Sequence, residues 1–141
     1  MTTGSEVFLQ LTTEIEAEGD ATQRIEFATA GTYYQKGQSH YYIYEETEVS
    51  GMAGGRTSLK VSADRVAMRR QGANIVDFVF MLGDYRESLY ETPYGVFEMK
   101  TYTTGLEISL NDTGIGLIEI RYELMIKGLS KTSNLLRIRV S

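Results

Sequence analysis

The stretch Leu117-Ile118-Glu119-Ile120-Arg121-Tyr122-Glu123-Leu124-Met125-Ile126-Lys127 sets Ile118, Ile120, Tyr122, Leu124 and Ile126 on one side against Glu119, Arg121, Glu123 and Lys127 on the other. A period of two sustained over so long a run predicts a half-buried β-strand, because successive strand side chains leave opposite faces of the sheet. The same pattern extends in both directions. Downstream, Gly128 turns the chain into Leu136, Ile138 and Val140, which alternate with Arg137 and Arg139. Upstream, Val7, Leu9, Leu11, Thr13, Ile15 and Ala17 oppose Gln10, Thr12, Glu14 and Glu16, and Gly19-Asp20 ends the run. Ile25 to Gly37, Tyr41 to Val49, Thr57-Leu59-Val61, Val66-Met68-Arg70, Ile75 to Leu82, Tyr85 to Thr92, Val96 to Thr103 and Leu106-Ile108-Leu110 complete the series, separated by glycine turns such as Gly83-Asp84 and Pro93-Tyr94-Gly95. Ser62 could instead cap a short helix from Ala63 to Arg70 stopped by Gly72, but the flanking strands would then need a crossover that a meandering sheet does not use. The expectation is all-β: a single antiparallel, mostly up-and-down barrel of about eight to ten strands, with residues 1–141 forming one domain.

At 141 residues the chain is long enough to bury a core without covalent staples, and it contains no cysteine. Thiolate catalysis, iron–sulfur clusters and cysteine zinc sites are thereby excluded. The start, Met1-Thr2-Thr3-Gly4-Ser5-Glu6, lacks the basic and apolar regions of a signal peptide, and no apolar run reaches membrane-spanning length. A cytoplasmic location and no membrane partner are expected. With 14 Lys and Arg against 19 Asp and Glu, the net charge of −5 argues against a nucleic-acid partner, since phosphate backbones call for a basic surface. The Tyr33-Tyr34 and Tyr41-Tyr42-Ile43-Tyr44 clusters do not form a stacking platform for single strands on this reading, because three nearby glutamates and the net negative charge oppose the basic groove such a platform needs.

Several short segments carry a family resemblance: Tyr44-Glu45-Glu46-Thr47-Glu48 followed by Gly51-Met52, the Arg70-Gln71-Gly72 turn, the strand with Phe80, Tyr90-Glu91-Thr92-Pro93-Tyr94-Gly95, and Tyr122-Glu123-Leu124. In this order they resemble the YwiB-like family of small bacterial proteins of unknown function, whose fold is similar to the calycins, the group of barrels that includes the lipocalins. The resemblance spans nearly the whole chain, and the Tyr-Glu-Thr-Pro-Tyr-Gly hexapeptide is its most specific part. It implies a calycin-like or lipocalin-like barrel in a bacterial cytoplasm and supplies no catalytic residue.

Strand parity singles out Arg70, which shares a face with Val66 and Met68 while Arg65 and Arg69 take the other. An arginine on a core face needs a counter-charge, since an unpaired buried charge costs on the order of 3–5 kcal/mol. On the third strand the face Tyr41, Ile43, Glu45, Thr47, Val49 reads as the inner one, so Glu45 is the expected partner and Glu46 and Glu48 point outward. Tyr90 and Thr92 share a face before Pro93, and Tyr122 lies on the apolar side of its strand, so each can bring a hydroxyl inward. The candidate ligand-binding set is therefore Arg70, Glu45, Tyr90, Tyr122 and Thr92. Among them Glu45, Arg70 and Tyr90 are the candidates for general acid–base work without a cofactor, as base, anion clamp and proton donor. The bland alternatives are a structural ion pair and space-filling tyrosines, each satisfied by one hydrogen bond.

His40 stands alone, with no second histidine or cysteine to complete a metal site, and reads as a surface residue. No metal or other cofactor is expected. The Gly51-Met52-Ala53-Gly54-Gly55-Arg56-Thr57 segment lacks the Gly-Lys-Ser/Thr ending of a phosphate loop and precedes a strand, so it reads as a hairpin at the barrel mouth. Three functions follow. The first is a binding barrel that holds a small, partly apolar or anionic ligand oriented by Arg70. The second is a cofactor-free enzyme acting on a small carboxylic acid. The third is a filled barrel acting through its surface as a homodimer or protein-interaction module, with Tyr42, Tyr44 and Tyr102 exposed.

Overall fold

A computed structural model describes residues 4–46 and 55–141 of the chain. The alternating segments become strands in order: β1 (Ser5–Ala17), β2 (Gln23–Lys36), β3 (Ser39–Glu45), β4 (Arg56–Val61), β5 (Val66–Gln71), β6 (Val76–Phe80), β7 (Tyr85–Thr92), β8 (Gly95–Leu110), β9 (Gly116–Ile126) and β10 (Ser130–Val140). They form one antiparallel sheet in the order β6-β5-β4-β3-β2-β1-β10-β9-β8-β7. Every hydrogen-bonded neighbour is also a neighbour along the chain, apart from the β1–β10 pair that joins the two ends. The architecture is an up-and-down all-β barrel, nearly closed.

The seam of the barrel falls between β6 and β7, where a single bridge links Ile75 and Glu91. The Ile75 N–H donates to the Glu91 carbonyl at 2.9 Å, and the Glu91 N–H returns the bond at 3.0 Å. The segment 63–70 resolves in favour of strand, since β5 pairs with both β4 and β6.

Two features of β2 and β8 shape the wall. Gly31 lets β2 pass close beneath its neighbours: a Cβ there would lie 2.5 Å from Leu9 Cδ1 and 2.9 Å from the Ile43 carbonyl oxygen. In β8, which the sequence divides at Thr103 and Leu106, the chain runs on as one strand through a register shift between Thr103 and Gly105. An extra residue in one strand reverses which parity faces inward. Thr101 and Thr103 are accordingly buried before the shift, and Leu106, Ile108 and Leu110 pack on the core after it.

One end of the barrel is packed solid. Leu9, Leu59, Val61, Val66, Phe80, Ile118, Ile138 and Val140 are almost fully buried there. The turn between β8 and β9 folds over this end: the Tyr42 hydroxyl donates to the Gly114 carbonyl at 2.6 Å, and the Tyr33 ring lies directly against Gly114. Asn111 fixes the turn by accepting from the N–H groups of Thr113 and Ile115 through Oδ1.

The structure reverses the expected faces of β3. Tyr42 and Tyr44 are buried and Glu46 follows them inward, whereas Tyr41 and Ile43 are only half-buried and Glu45 is exposed. The register explains it. Tyr44 sits opposite Gly31 on β2 and Thr57 on β4, and Tyr42 opposite Leu59, so the two rings fill the space over a glycine and beside core residues. A one-residue change of phase moves every side chain of a strand to the other side of the sheet. The Tyr42 and Tyr44 surface patch is thus corrected, while Tyr102 is exposed. The expected continuation of the third strand through Thr47 to Val49, and the hairpin at Gly51 to Gly54, lie outside the described residues.

Candidate functional site

At the end opposite the Asn111–Ile115 turn, the barrel holds a partly open cavity of about 230 Å³. Its walls come from both halves of the sheet. Leu11, Phe27, Met68, Phe78, Leu124 and Leu136 make the apolar part, and Tyr44, Glu46, Arg70, Asn74, Tyr90, Tyr122 and Asn134 contribute polar atoms. The wall residues that lie in strands follow the two-residue alternation of those strands, while Glu46 and Asn74 stand just beyond the ends of β3 and β6.

Arg70 enters from the last turn of β5, as parity predicts, but its partner is Glu46 rather than Glu45. Arg70 Nε stands 3.9 Å from Glu46 Oε1, with the Glu46 side chain 2% exposed and the Arg70 side chain 30% exposed. The Thr57 hydroxyl donates to the same Glu46 oxygen. Glu45 lies outside the barrel, its side chain 69% exposed and its carboxylate 3.6 Å from Arg56. Glu45 is therefore withdrawn as a ligand-binding and catalytic candidate, because the tyrosine rings that set the phase of β3 carry it to solvent.

Tyr44 completes this corner. It is 2% exposed, lines the cavity, and its hydroxyl has no hydrogen-bond partner among the described residues. Burial pushes the Tyr44 hydroxyl well above the ordinary tyrosine value, the Glu46 carboxylate adds to the rise, and the Arg70 charge opposes it. The neighbouring Thr57 side chain pulls the Tyr44 hydroxyl slightly in the direction opposite to burial. Tyr122 is also pushed upward by burial, again with Arg70 pulling the other way. The guanidinium thus acts electrically on both phenols. The Tyr122 ring packs on Phe80 at 4.7 Å and Phe78 at 6.0 Å between centroids.

Across the cavity the Tyr90 hydroxyl accepts from Asn74 Nδ2 at 3.1 Å. Asn134 points its amide at Thr132 Oγ1, 3.0 Å away. Of the sequence candidates the structure gathers Arg70, Tyr90 and Tyr122 around one chamber. It places Thr92 elsewhere: its hydroxyl accepts from the Tyr94 N–H at 3.1 Å and donates to the Gly95 carbonyl at 3.0 Å, so it ties the turn before β8. A threonine beside Pro-Tyr-Gly satisfies turn backbone that would otherwise need water. His40 is half-buried rather than on the open surface, with Nδ1 2.6 Å from the Tyr33 hydroxyl. The sequence reading missed Tyr44, Glu46, Asn74 and Asn134. The alternative phase Tyr42-Tyr44-Glu46 was the available signal for the first two; the asparagines flank turns or sit mid-strand with nothing to mark them.

The arrangement offers an ion-paired arginine, a buried phenol and a second phenol–amide pair around an otherwise apolar space, the usual make-up of a small-ligand site. The Glu46 carboxylate is already engaged by the Thr57 hydroxyl and stands 3.9 Å from Arg70 Nε.

The comparisons with known proteins agree with this fold. The chain is 31% identical over 120 residues to an uncharacterized β-barrel protein, YwiB, of Bacillus subtilis (strain 168), covering 85% of this chain and 82% of that one. It is also similar to the crystal structure of the YwiB protein from Bacillus subtilis, with a TM-score of 0.82 at 25% identity over 98% of this chain and 92% of the other. Residues 9–138 match the family model described as a domain of unknown function, DUF1934, and with nearly the whole barrel inside that match the chain belongs to the DUF1934 family.

Proposed function

We propose that this protein is a cytoplasmic small-molecule-binding barrel. The observation that carries the reading is the cavity of about 230 Å³ with the Tyr44, Glu46 and Arg70 corner at one side and apolar side chains over most of the rest. A concave space of this kind, apolar over most of its wall with a few converging polar groups, is the usual setting for a small ligand. The likeness to calycins named by the sequence motifs gains support from the same feature, a barrel solid at one end and hollow at the other. A net charge of −5 favours a small molecule over nucleic acid or an anionic membrane as partner. The enzyme reading loses its base, because Glu45 is outside and Glu46 is already engaged.

The test is native mass spectrometry of protein purified gently from its own host, set beside the denatured mass of the same sample. A stoichiometric excess mass, lost on denaturation, is the expected result. A bare mass, together with no uptake of small aromatic probes into the cavity, would sink the proposal. Fractionation of host cells checks the compartment. A second reading, docking of a protein partner, is favoured by the exposed apolar side chains of the β7–β8 hairpin, Leu89, Tyr94 and Val96, and light scattering of the purified protein tests whether that partner is a second copy.

A further inference from the structure

We infer that the outer face of β7, β8 and β9 is a homodimer interface, in which a two-fold axis crosses β8 at Met99 and sets Glu98 of one copy against Lys100 of the other. This commits the protein-docking reading above to a second copy of the chain, and it stands apart from the small-molecule reading because the face is the outside of the wall.

The register defines the face. Met99, Thr101 and Thr103 of β8 are buried, so Val96, Glu98, Lys100 and Tyr102 point outward. On β7 they stand opposite Glu91, Leu89, Glu87 and Tyr85 in that order. On β9, Met125 stands opposite Lys100 and Glu123 opposite Tyr102. Tyr85, Leu89, Val96, Tyr102 and Met125 are all exposed, and Tyr94 and Leu129 extend the apolar surface at the adjoining turns. Most of the exposed large apolar side chains among the described residues thus lie on one side of the barrel. Single exposed apolar residues need no explanation, but a contiguous group of them marks an interaction surface.

Charge points to a second copy as the occupant. The chain carries a net charge of −5, yet the four charges at the centre of this face cancel in pairs, Lys100 Nζ lying 3.9 Å from Glu87 Oε1 and Lys127 Nζ 3.2 Å from Glu98 Oε2. The outward series along β8, Val96-Glu98-Lys100-Tyr102, is also complementary to its own reverse. A half-turn about an axis that lies in the face and crosses β8 at Met99, at right angles to the strands, lays β8 on β8. Glu98 then faces Lys100 and Val96 faces Tyr102, each twice. The same rotation sets Tyr85 against Glu91 and Leu89 against Glu87 of the second copy, so no like charges stand directly opposed on these two strands. Self-complementarity of this kind is what a two-fold contact requires, since each residue meets its counterpart's partner. Three strands wide and four outward residues long, the face falls at the small end of specific interfaces, and a micromolar dissociation constant is expected.

The test is sedimentation velocity on the full-length protein over a concentration series reaching about 1 mM, which covers a dissociation constant of that order. A reversible monomer–dimer equilibrium is expected. Glu98→Lys sets lysines against lysines across the axis and Lys100→Glu sets glutamates against glutamates, so each alone should weaken the dimer roughly tenfold or more. Mixed in equal amounts, the two variants should form a heterodimer at least as tight as the native dimer, because every facing pair is then opposite in sign while both variants remain net negative. Rescue on mixing separates contact across the axis from a change within one copy, such as loss of the Lys127–Glu98 pair. Tyr102→Ser should weaken the dimer, and Phe8→Ser, at an exposed position on β1, should not. A monomer at every concentration would overturn the inference and leave the face to a different protein. A dimer indifferent to both charge variants, one weakened by both without rescue on mixing, or one weakened as much by Phe8→Ser as by Tyr102→Ser would overturn it as well.

Discussion

Two tyrosines two positions apart on β3 have hydroxyls with opposite fates, and this contrast makes the energetics of the barrel testable at single atoms. Tyr42 donates to the Gly114 carbonyl, so Tyr42→Phe deletes a buried bond and leaves that carbonyl unsatisfied, for an expected loss of about 1–2 kcal/mol. Tyr44 has no such partner among the described residues, and Tyr44→Phe should leave folding stability unchanged or raise it, because a buried hydroxyl without a bond is itself destabilising. Urea unfolding of the two variants beside the native protein decides the matter, and equal losses in both would contradict the assignment. The adjacent glutamates form a second contrast. Glu46→Ala removes the buried carboxylate beside Arg70 and the acceptor of the Thr57 hydroxyl, and should cost about 3 kcal/mol, the low end for a buried pair because Arg70 keeps some contact with solvent. Glu45→Ala removes an exposed ion pair with Arg56 and should change stability by less than ~1 kcal/mol. A reversed order in the same assay would restore the phase expected from the sequence.

Among the elements, the β8–β9 turn and the β6–β7 seam differ most in how they are held. Gly114 has φ of 76°, and a Cβ there would lie 2.2 Å from Cε1 of Tyr33, the ring whose hydroxyl meets His40. Gly128 has φ of 78° with open space around it. Gly128→Ala should therefore cost only the left-handed backbone strain, about 1 kcal/mol, while Gly114→Ala must also displace the Tyr33 ring and should cost more than ~2 kcal/mol. Denaturant midpoints of the pair test this, and similar values would show that the turn does not lean on Tyr33. At the seam, among the described residues, the Ile75–Glu91 bridge just before β6 is the one pairing between the β6 and β7 edges. Hydrogen-bonding direction alternates along a strand, so the amides of Asp77 and Val79 point toward the same open edge as Ile75. These should exchange with deuterium far faster than the amides of Ile118 and Ile120, whose strand is paired on both sides. Comparable protection in the two groups would mean that the barrel closes more fully than one bridge allows.

For the molecule as a whole, buried phenols set an alkaline limit. Tyr42, Tyr44 and Tyr122 are all pushed upward by burial, whereas an unfolded tyrosine titrates near about 10. Below that pH all three are protonated in both states and their contribution is constant. Above it the unfolded chain loses protons that the folded chain keeps, so stability falls with rising pH. The urea midpoint should decline from about pH 10 upward, with part of the tyrosinate absorbance appearing in the same transition as unfolding. Full ionisation while the barrel stays folded would show that these hydroxyls reach solvent. The amphipathic strands from Val7 to Val140 determined by themselves that the chain is an antiparallel, up-and-down barrel, because apolar alternation with glycine turns allows few other ways to bury one face of every strand. The same alternation put Arg70, Tyr90 and Tyr122 on inward faces. It left the phase of β3 open, since Tyr41-Ile43-Glu45 and Tyr42-Tyr44-Glu46 are both credible inner faces. Only the pairing of Tyr44 with Gly31 and Thr57 chose between them. The cavity, the isolated Tyr44 hydroxyl and the seam were likewise decided by tertiary structure, because each is a mismatch of volume or pairing among strands far apart in sequence, and such mismatches exist only once all the strands have met.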